Sequence, residues 1–97
     1  FLDRCHLQIR LAWIYPFVLS SSQDYVILSQ CTAASRRLCL ILMFRQAALR
    51  MAFWDDDCQS STVVTSNRWH HVAYVYEYST FSKKVYLNGE LVCINTT

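Results

Sequence analysis

The residues able to do chemistry in this chain are few, and their spacing suits little of it. His70 and His71 are adjacent. Imidazole is the commonest metal ligand and a general base, so two in a row invite a metal reading. Neighbouring residues of a strand point to opposite faces, however, and these two cannot easily share one ion. One is expected to hydrogen-bond a loop and the other to be exposed. Asp55, Asp56 and Asp57 are the only clustered acids. Carboxylates suit calcium, which takes about six to eight oxygen ligands. Three consecutive acids cannot all face one ion. The expectation is a solvated acidic turn, with Asp56 or Asp57 capping it through Asx-type bonds. Trp69 has a face on which a sugar ring could stack, but at a strand start it reads as core.

Hydrolysis of a glycan needs two carboxylates about 5 to 9.5 Å apart. The remaining acids, Asp3, Asp24, Glu77 and Glu90, stand alone in the sequence. A Cys–His nucleophile pair has no local signature here. Glycine occurs once in 97 residues, which excludes a P-loop, a dinucleotide fingerprint and a nucleophile elbow, each built on several glycines. The reading is therefore no enzyme, with no catalytic residue, no metal ligand and no cofactor. Calcium at Asp55 to Asp57 is the weaker alternative, and the ligand-binding residues are not identified by sequence.

The five cysteines are Cys5, Cys31, Cys39, Cys58 and Cys93. None lies within the short gap of a zinc knuckle or a redox pair. Cys31 and Cys39 make the most plausible bridge by proximity, and an odd count leaves at least one thiol without a partner in this chain. An extracellular chain with bridges and a cytosolic chain with buried thiols both fit. Asn95-Thr96-Thr97 is an N-glycosylation acceptor pattern, of the kind that chance alone produces in a chain this rich in Ser and Thr.

Hydrophobic residues make up 54% and charged residues 16%, too apolar for a disordered tail. The net charge is +2. Only Arg36-Arg37 and Lys83-Lys84 are adjacent basic pairs, read as solvated loop charges. A nucleic-acid partner, which needs a basic stripe, is not expected. The longest apolar run, Leu38 to Phe44, is far short of the ~20 residues of a membrane-spanning helix. No membrane insertion is expected within this chain, and its start shows no signal-peptide pattern.

These groups are positioned by strands. Leu7, Ile9, Leu11, Trp13 and Tyr15 alternate with polar positions, predicting a strand with that apolar face buried. Pro16 ends it. Ser20 to Asp24 reads as a polar loop, Tyr25 to Ser29 as a short buried strand, and Cys31 to Arg37 as a second loop. Leu38 to Trp54 supports two readings. Propensity allows a helix over Ser35 to Met51. Alternation of Leu49, Met51 and Phe53 favours two strands, Leu38 to Arg45 and Leu49 to Trp54, with a turn at Gln46-Ala47. Asp55 to Ser61 reads as a loop. Trp69 to Glu77 alternates as a strand. Lys84 to Leu87, Asn88-Gly89 and Glu90 to Cys93 form the strongest short-range hairpin signal, because both turn residues accept positive φ.

The stretch Asn67 to Val92, NRWHHVAYVYEYSTFSKKVYLNGELV, resembles the laminin G-like and concanavalin A-like superfamily of jelly-roll sandwiches. Trp69-His70-His71-Val72 is similar to the segment that opens a strand in those domains. Tyr86-Leu87-Asn88-Gly89 is similar to the hairpin that follows. LAWIYP at Leu11 to Pro16, YVILSQ at Tyr25 to Gln30 and FWDDD at Phe53 to Asp57 extend the resemblance over Leu7 to Val92.

The resemblance implies a mainly β fold: an antiparallel jelly-roll β-sandwich of the concanavalin A-like type, incomplete. It makes Leu38 to Trp54 two strands, although Gln46-Ala47 is a poor hairpin turn where such domains often have Asn-Gly. Residues 1–97 are expected to be a single partial laminin G-like domain, covalently part of a larger polypeptide, with apolar faces and strand edges left exposed. The implied function is a non-enzymatic extracellular recognition or adhesion module. It would bind a glycan or protein ligand, through loops at one rim near Asp55 to Ser61. The alternative is a fragment of a concanavalin-like glycoside hydrolase whose catalytic strand lies outside this chain, since no Glu-x-Asp-x-x-Glu motif of such glucanases occurs here.

Overall fold

Alternating apolar residues, one proline and two tight turns divide the described residues into eight strands. The computed structural model describes residues 7–33, 38–54 and 56–96. Expectations for Cys5, Arg36-Arg37, Asp55 and Thr97 lie outside the described residues. The strands are β1 (Leu7–Ile14), β2 (Tyr25–Cys31), β3 (Cys39–Arg45), β4 (Ala48–Ala52), β5 (Cys58–Val63), β6 (His70–Glu77), β7 (Ser82–Leu87) and β8 (Glu90–Asn95). They form two four-stranded antiparallel sheets, ordered β1-β6-β7-β8 and β2-β3-β4-β5. The mainly β, antiparallel sandwich expected from the sequence is what the chain forms.

Both hairpins at the tight turns are present. Asn88 and Gly89 adopt φ of 52° and 82° between β7 and β8. Gln46 and Ala47 adopt the same left-handed pair, 56° and 59°, between β3 and β4. Leu38 to Trp54 is therefore two strands, and the helix suggested by propensity does not form. The turn succeeds without Asn or Gly because the flanking strands are buried and long-range pairing outweighs the local cost. Ala47 also accepts a hydrogen bond from Val64 N at 2.8 Å, which holds the turn against the chain after β5.

The sheets meet over Leu40, Leu42 and Phe44 of β3, Leu49 and Met51 of β4, and Val72, Tyr74, Tyr76 and Val85 of the opposite sheet. Phe53 is edge-on to Tyr76, with ring centroids 4.9 Å apart. Two disulfides add to this. Cys31–Cys39 closes the loop between β2 and β3, as proximity suggested. Cys58–Cys93 joins edge strands β5 and β8 of the two sheets across 35 residues.

Five readings are corrected. First, the apolar face of β1 is not buried: Leu7, Ile9, Leu11, Trp13 and Tyr15 are all exposed. Directly opposite residues of an antiparallel pair share a face. Gln8, Arg10, Ala12 and Ile14 stand opposite Tyr76, Tyr74, Val72 and His70, and those four point into the core, so the even residues of β1 follow them inward. Second, β2 is longer than a short buried strand and lies at a sheet edge, with Val26 and Leu28 exposed. Third, Cys58 to Ser61 is not loop but part of β5, where Cys58 and Ser60 turn inward. Fourth, Trp69 is not core; it is 62% exposed and lies edge-on to Tyr15. Fifth, Lys83 is not a solvated loop charge; it lies within β7 with its side chain buried, on the face shared with Val85.

Candidate functional site

The run Leu38 to Phe44 is apolar on both faces for a structural reason. Leu40, Leu42 and Phe44 enter the core, while Cys39, Ile41 and Met43 form the floor of a groove on the outer face of the β2-β3-β4-β5 sheet. The register sets this floor in rows. Met43 lies between Val26 of β2 and Arg50 of β4, and Ile41 lies opposite Ala52. The groove measures about 380 Å³.

Two ion pairs flank the floor. Arg45 at the end of β3 binds Asp24 in a bidentate fork, Nε to Oδ1 at 3.2 Å and Nη2 to Oδ2 at 3.0 Å. That hydrogen-bonded guanidinium holds Asp24 below the usual carboxylate range, and the carboxylate in turn raises Arg45. Arg50 on β4 donates to Asp57 Oδ2 at 2.6 Å and to Gln59 Oε1 at 2.9 Å. Its Nε is buried and has no acceptor among the described residues. Trp54, just after β4 and in a left-handed conformation at φ 48°, contributes an exposed aromatic face to the lining. Two guanidiniums and two carboxylates leave the groove with no net charge. The arrangement can hold a small, neutral ligand that is apolar on one side and rich in hydroxyls on the other.

Of the residues singled out from sequence, Asp57 lines this groove, while the two histidines go elsewhere. His70 is buried and bonds the loop before β6, with Nε2 2.8 Å from Thr65 O, while its Nδ1 is 3.1 Å from Asn88 Nδ2. His71 faces the opposite side, partly exposed, with its ring 5.1 Å from that of Trp13. The split between a loop-bonded and a surface histidine is as expected.

Asp56 and Asp57 are not a solvated turn. Asp56 is buried and pairs with Lys83 at 2.8 Å. Asp57 Oδ1 accepts from Phe53 N at 2.6 Å, and its Oδ2 takes Arg50. Within the rim expected to bind, Asp56 and Asp57 are thus engaged by the protein's own contacts, and Asp57 lines the groove. No group of three or more His, Cys, Asp or Glu side chains is placed to hold a metal among the described residues. Asn95 donates its Nδ2 to Asp57 O, a bond that glycosylation at that nitrogen would disturb.

Arg45, Arg50 and Trp54 were not singled out by sequence. The one available signal was the doubly apolar run beside them, which a strand buried on only one side would not need.

A protein-family model described as the concanavalin A-like lectin/glucanases superfamily, of laminin G type, matches residues 11–97. No curated protein matches the chain.

Proposed function

Because the chain belongs to the concanavalin A-like lectin/glucanases superfamily, in its laminin G branch, we propose that it is a non-enzymatic extracellular recognition module. Its ligand is a neutral glycan, held in the outer groove of the β2-β3-β4-β5 sheet. The observation that carries this reading is the groove itself: an apolar floor, an exposed Trp54 and two charge-balanced Arg–Asp pairs. A sugar ring has apolar C–H faces that stack on an indole. Its hydroxyls match the fork of a guanidinium and the oxygens of a carboxylate. Charge balance favours a neutral sugar over a sulfated one. The two disulfides support an oxidising compartment. As a module of a larger secreted or membrane-anchored protein, the domain would serve adhesion or recognition.

Asp24 is poorly suited to act as the general acid of a cleavage reaction. A glycosidase needs a general acid raised above its ordinary range, and Asp24 is held below it by Arg45.

The test is binding of the purified chain to a panel of neutral and sulfated oligosaccharides by glycan array, followed by titration calorimetry. Binding of a neutral oligosaccharide is expected, weakened at least tenfold by Trp54→Ala and by Arg50→Met, with little change in thermal midpoint for Trp54→Ala. Preference for sulfated chains, or binding untouched by both substitutions, overturns the groove assignment. Turnover of any oligosaccharide overturns the non-enzymatic reading.

A further inference from the structure

The two sheets are tied at one edge and open at the other. Cys58–Cys93 joins β5 to β8. At the opposite edge lie β1 and β2, with no disulfide between them among the described residues. Leu28 of β2 stands opposite Leu42 of β3 and so shares its inward face. Leu42 is 1% exposed and Leu28 41%. Solvent therefore reaches the space between the sheets along this seam.

Two adjoining cavities occupy the seam. The smaller, of about 90 Å³, is lined by Arg10, Ala12, Leu28, Leu42 and Tyr74. The larger, of about 440 Å³, lies beyond the end of β1 and is lined by Tyr15, Phe17, Val18, Leu19 and Phe44. Ile27 lines both.

The polar groups gather at the smaller cavity. Arg10 is the one charged side chain among the described residues that line either cavity. Every other lining residue is aliphatic or aromatic. Arg10 Nη2 donates to Gln8 Oε1 at 2.9 Å, on the face that β1 turns inward. The Gln8 amide nitrogen and the Tyr74 hydroxyl are both buried, and neither has a hydrogen-bond partner among the described residues. Guanidinium, amide N–H and phenol O–H are all donors. Donors lacking an acceptor, beside a positive charge with no carboxylate in the lining, match an anionic oxygen. The outer groove differs, because its two arginines are balanced by two aspartates.

We infer that this seam binds a fatty acid, with its carboxylate at Arg10 and its chain in the larger cavity. A carboxylate meets a guanidinium through two parallel charge-assisted hydrogen bonds. The Tyr74 hydroxyl and the Gln8 amide then gain the acceptor they lack. Arg10 and Ile14 are about 13 Å apart along β1, so a chain the length of laurate, anchored at Arg10, reaches the larger cavity. An apolar cleft with a few convergent polar groups is the usual form of a small-molecule site. This site is separate from the glycan groove, which lies on the outer face of the β2-β3-β4-β5 sheet.

The test is titration calorimetry of the full chain with laurate, kept below the concentration at which it forms micelles. One saturable site per chain is expected, with a rise in thermal midpoint on binding. Acetate, which lacks the chain, and dodecanol, which lacks the carboxylate, are each expected to bind at least tenfold more weakly. Arg10→Met is expected to weaken laurate at least tenfold. Phe17→Asp is expected to do the same while remaining folded by circular dichroism, since Phe17 is 74% exposed. Tyr74→Phe is expected to weaken laurate several-fold without lowering the thermal midpoint. Trp54→Ala is expected to leave laurate binding unchanged, which separates this site from the outer groove. Absence of saturable laurate binding, equal affinity for dodecanol, or affinity untouched by both Arg10→Met and Phe17→Asp overturns the proposal. Binding to vesicles of anionic phospholipid that laurate does not compete for overturns the free acid as the occupant.

Discussion

Lys83 Nζ lies 2.8 Å from Asp56 Oδ1 with both side chains sealed from solvent, at 0% and 1% exposure. The ammonium also donates to the carbonyl of Phe81. Lys83 belongs to β7 and Asp56 to the connection between β4 and β5, so the pair ties the two sheets together from inside. Charges taken out of water are tolerable only while matched.

Removing either partner deprives the other of its buried counter-charge. Lys83→Met and Asp56→Leu are each expected to cost about 3–5 kcal/mol. The double replacement Lys83→Met with Asp56→Leu is expected to recover most of that loss, because no charge then remains in the interior. Urea unfolding of the four proteins, read as a double-mutant cycle, checks it. A double variant as unstable as the sum of the singles would show that the pair contributes through shape rather than charge.

The turn at Gln46-Ala47 works against its own residues. Both sit in the left-handed region, where a side-chain-bearing residue is penalised by about 1–2 kcal/mol. Gln46→Asn with Ala47→Gly is expected to raise stability by about 1 kcal/mol, since the gain in backbone fit exceeds the methyl lost at Ala47. Chemical denaturation checks it. Equal or lower stability would mean that the buried methyl of Ala47 contributes more than its backbone strain costs.

Much of this architecture was legible from residue order. Alternation marks period, and Asn88-Gly89 marks a turn, because both are local. What alternation does not carry is which face of β1 turns inward. Leu7 to Tyr15 and Gln8 to Ile14 are equally regular, and the choice is made by pairing with Val72, Tyr74 and Tyr76, some sixty residues away. Lys83 and Asp56 were unreadable for the same reason. A lysine beside Lys84 and an aspartate among three resemble solvent-facing charges until the fold brings them together. The groove was half visible. A strand apolar on both faces asks for cover on both, but its arginine walls come from register, not from motif.

Tyr74 carries a buried hydroxyl with no partner among the described residues. Burial pushes that hydroxyl well above the usual phenol range. A polar group buried without a partner is a net cost, so its removal is favourable. Tyr74→Phe is expected to leave stability unchanged or raise it by about 1 kcal/mol, measured by the thermal midpoint. A marked loss would reveal a hydrogen bond that the described residues do not supply.

Asp24 gives the fold a pH signature of defined sign. Its carboxyl is lowered from an ordinary value of 3.8, first by the hydrogen bond from Arg45 and then by that residue's charge. A group whose folded value is depressed stabilises the fold above its unfolded value, and that contribution disappears as pH falls through the folded one. Asp24→Asn is therefore expected to be slightly less stable than wild type from about pH 7 down to about pH 5. The gap should narrow below 3.8 and close once the wild-type carboxyl is protonated. The pair is nearly half exposed, at 44% and 45%, so the gap should be small and should shrink with added salt. Urea midpoints of both proteins across that pH range check the argument. A difference that persists in acid would belong to packing of the side chain, because by then no carboxylate is left to pair with Arg45.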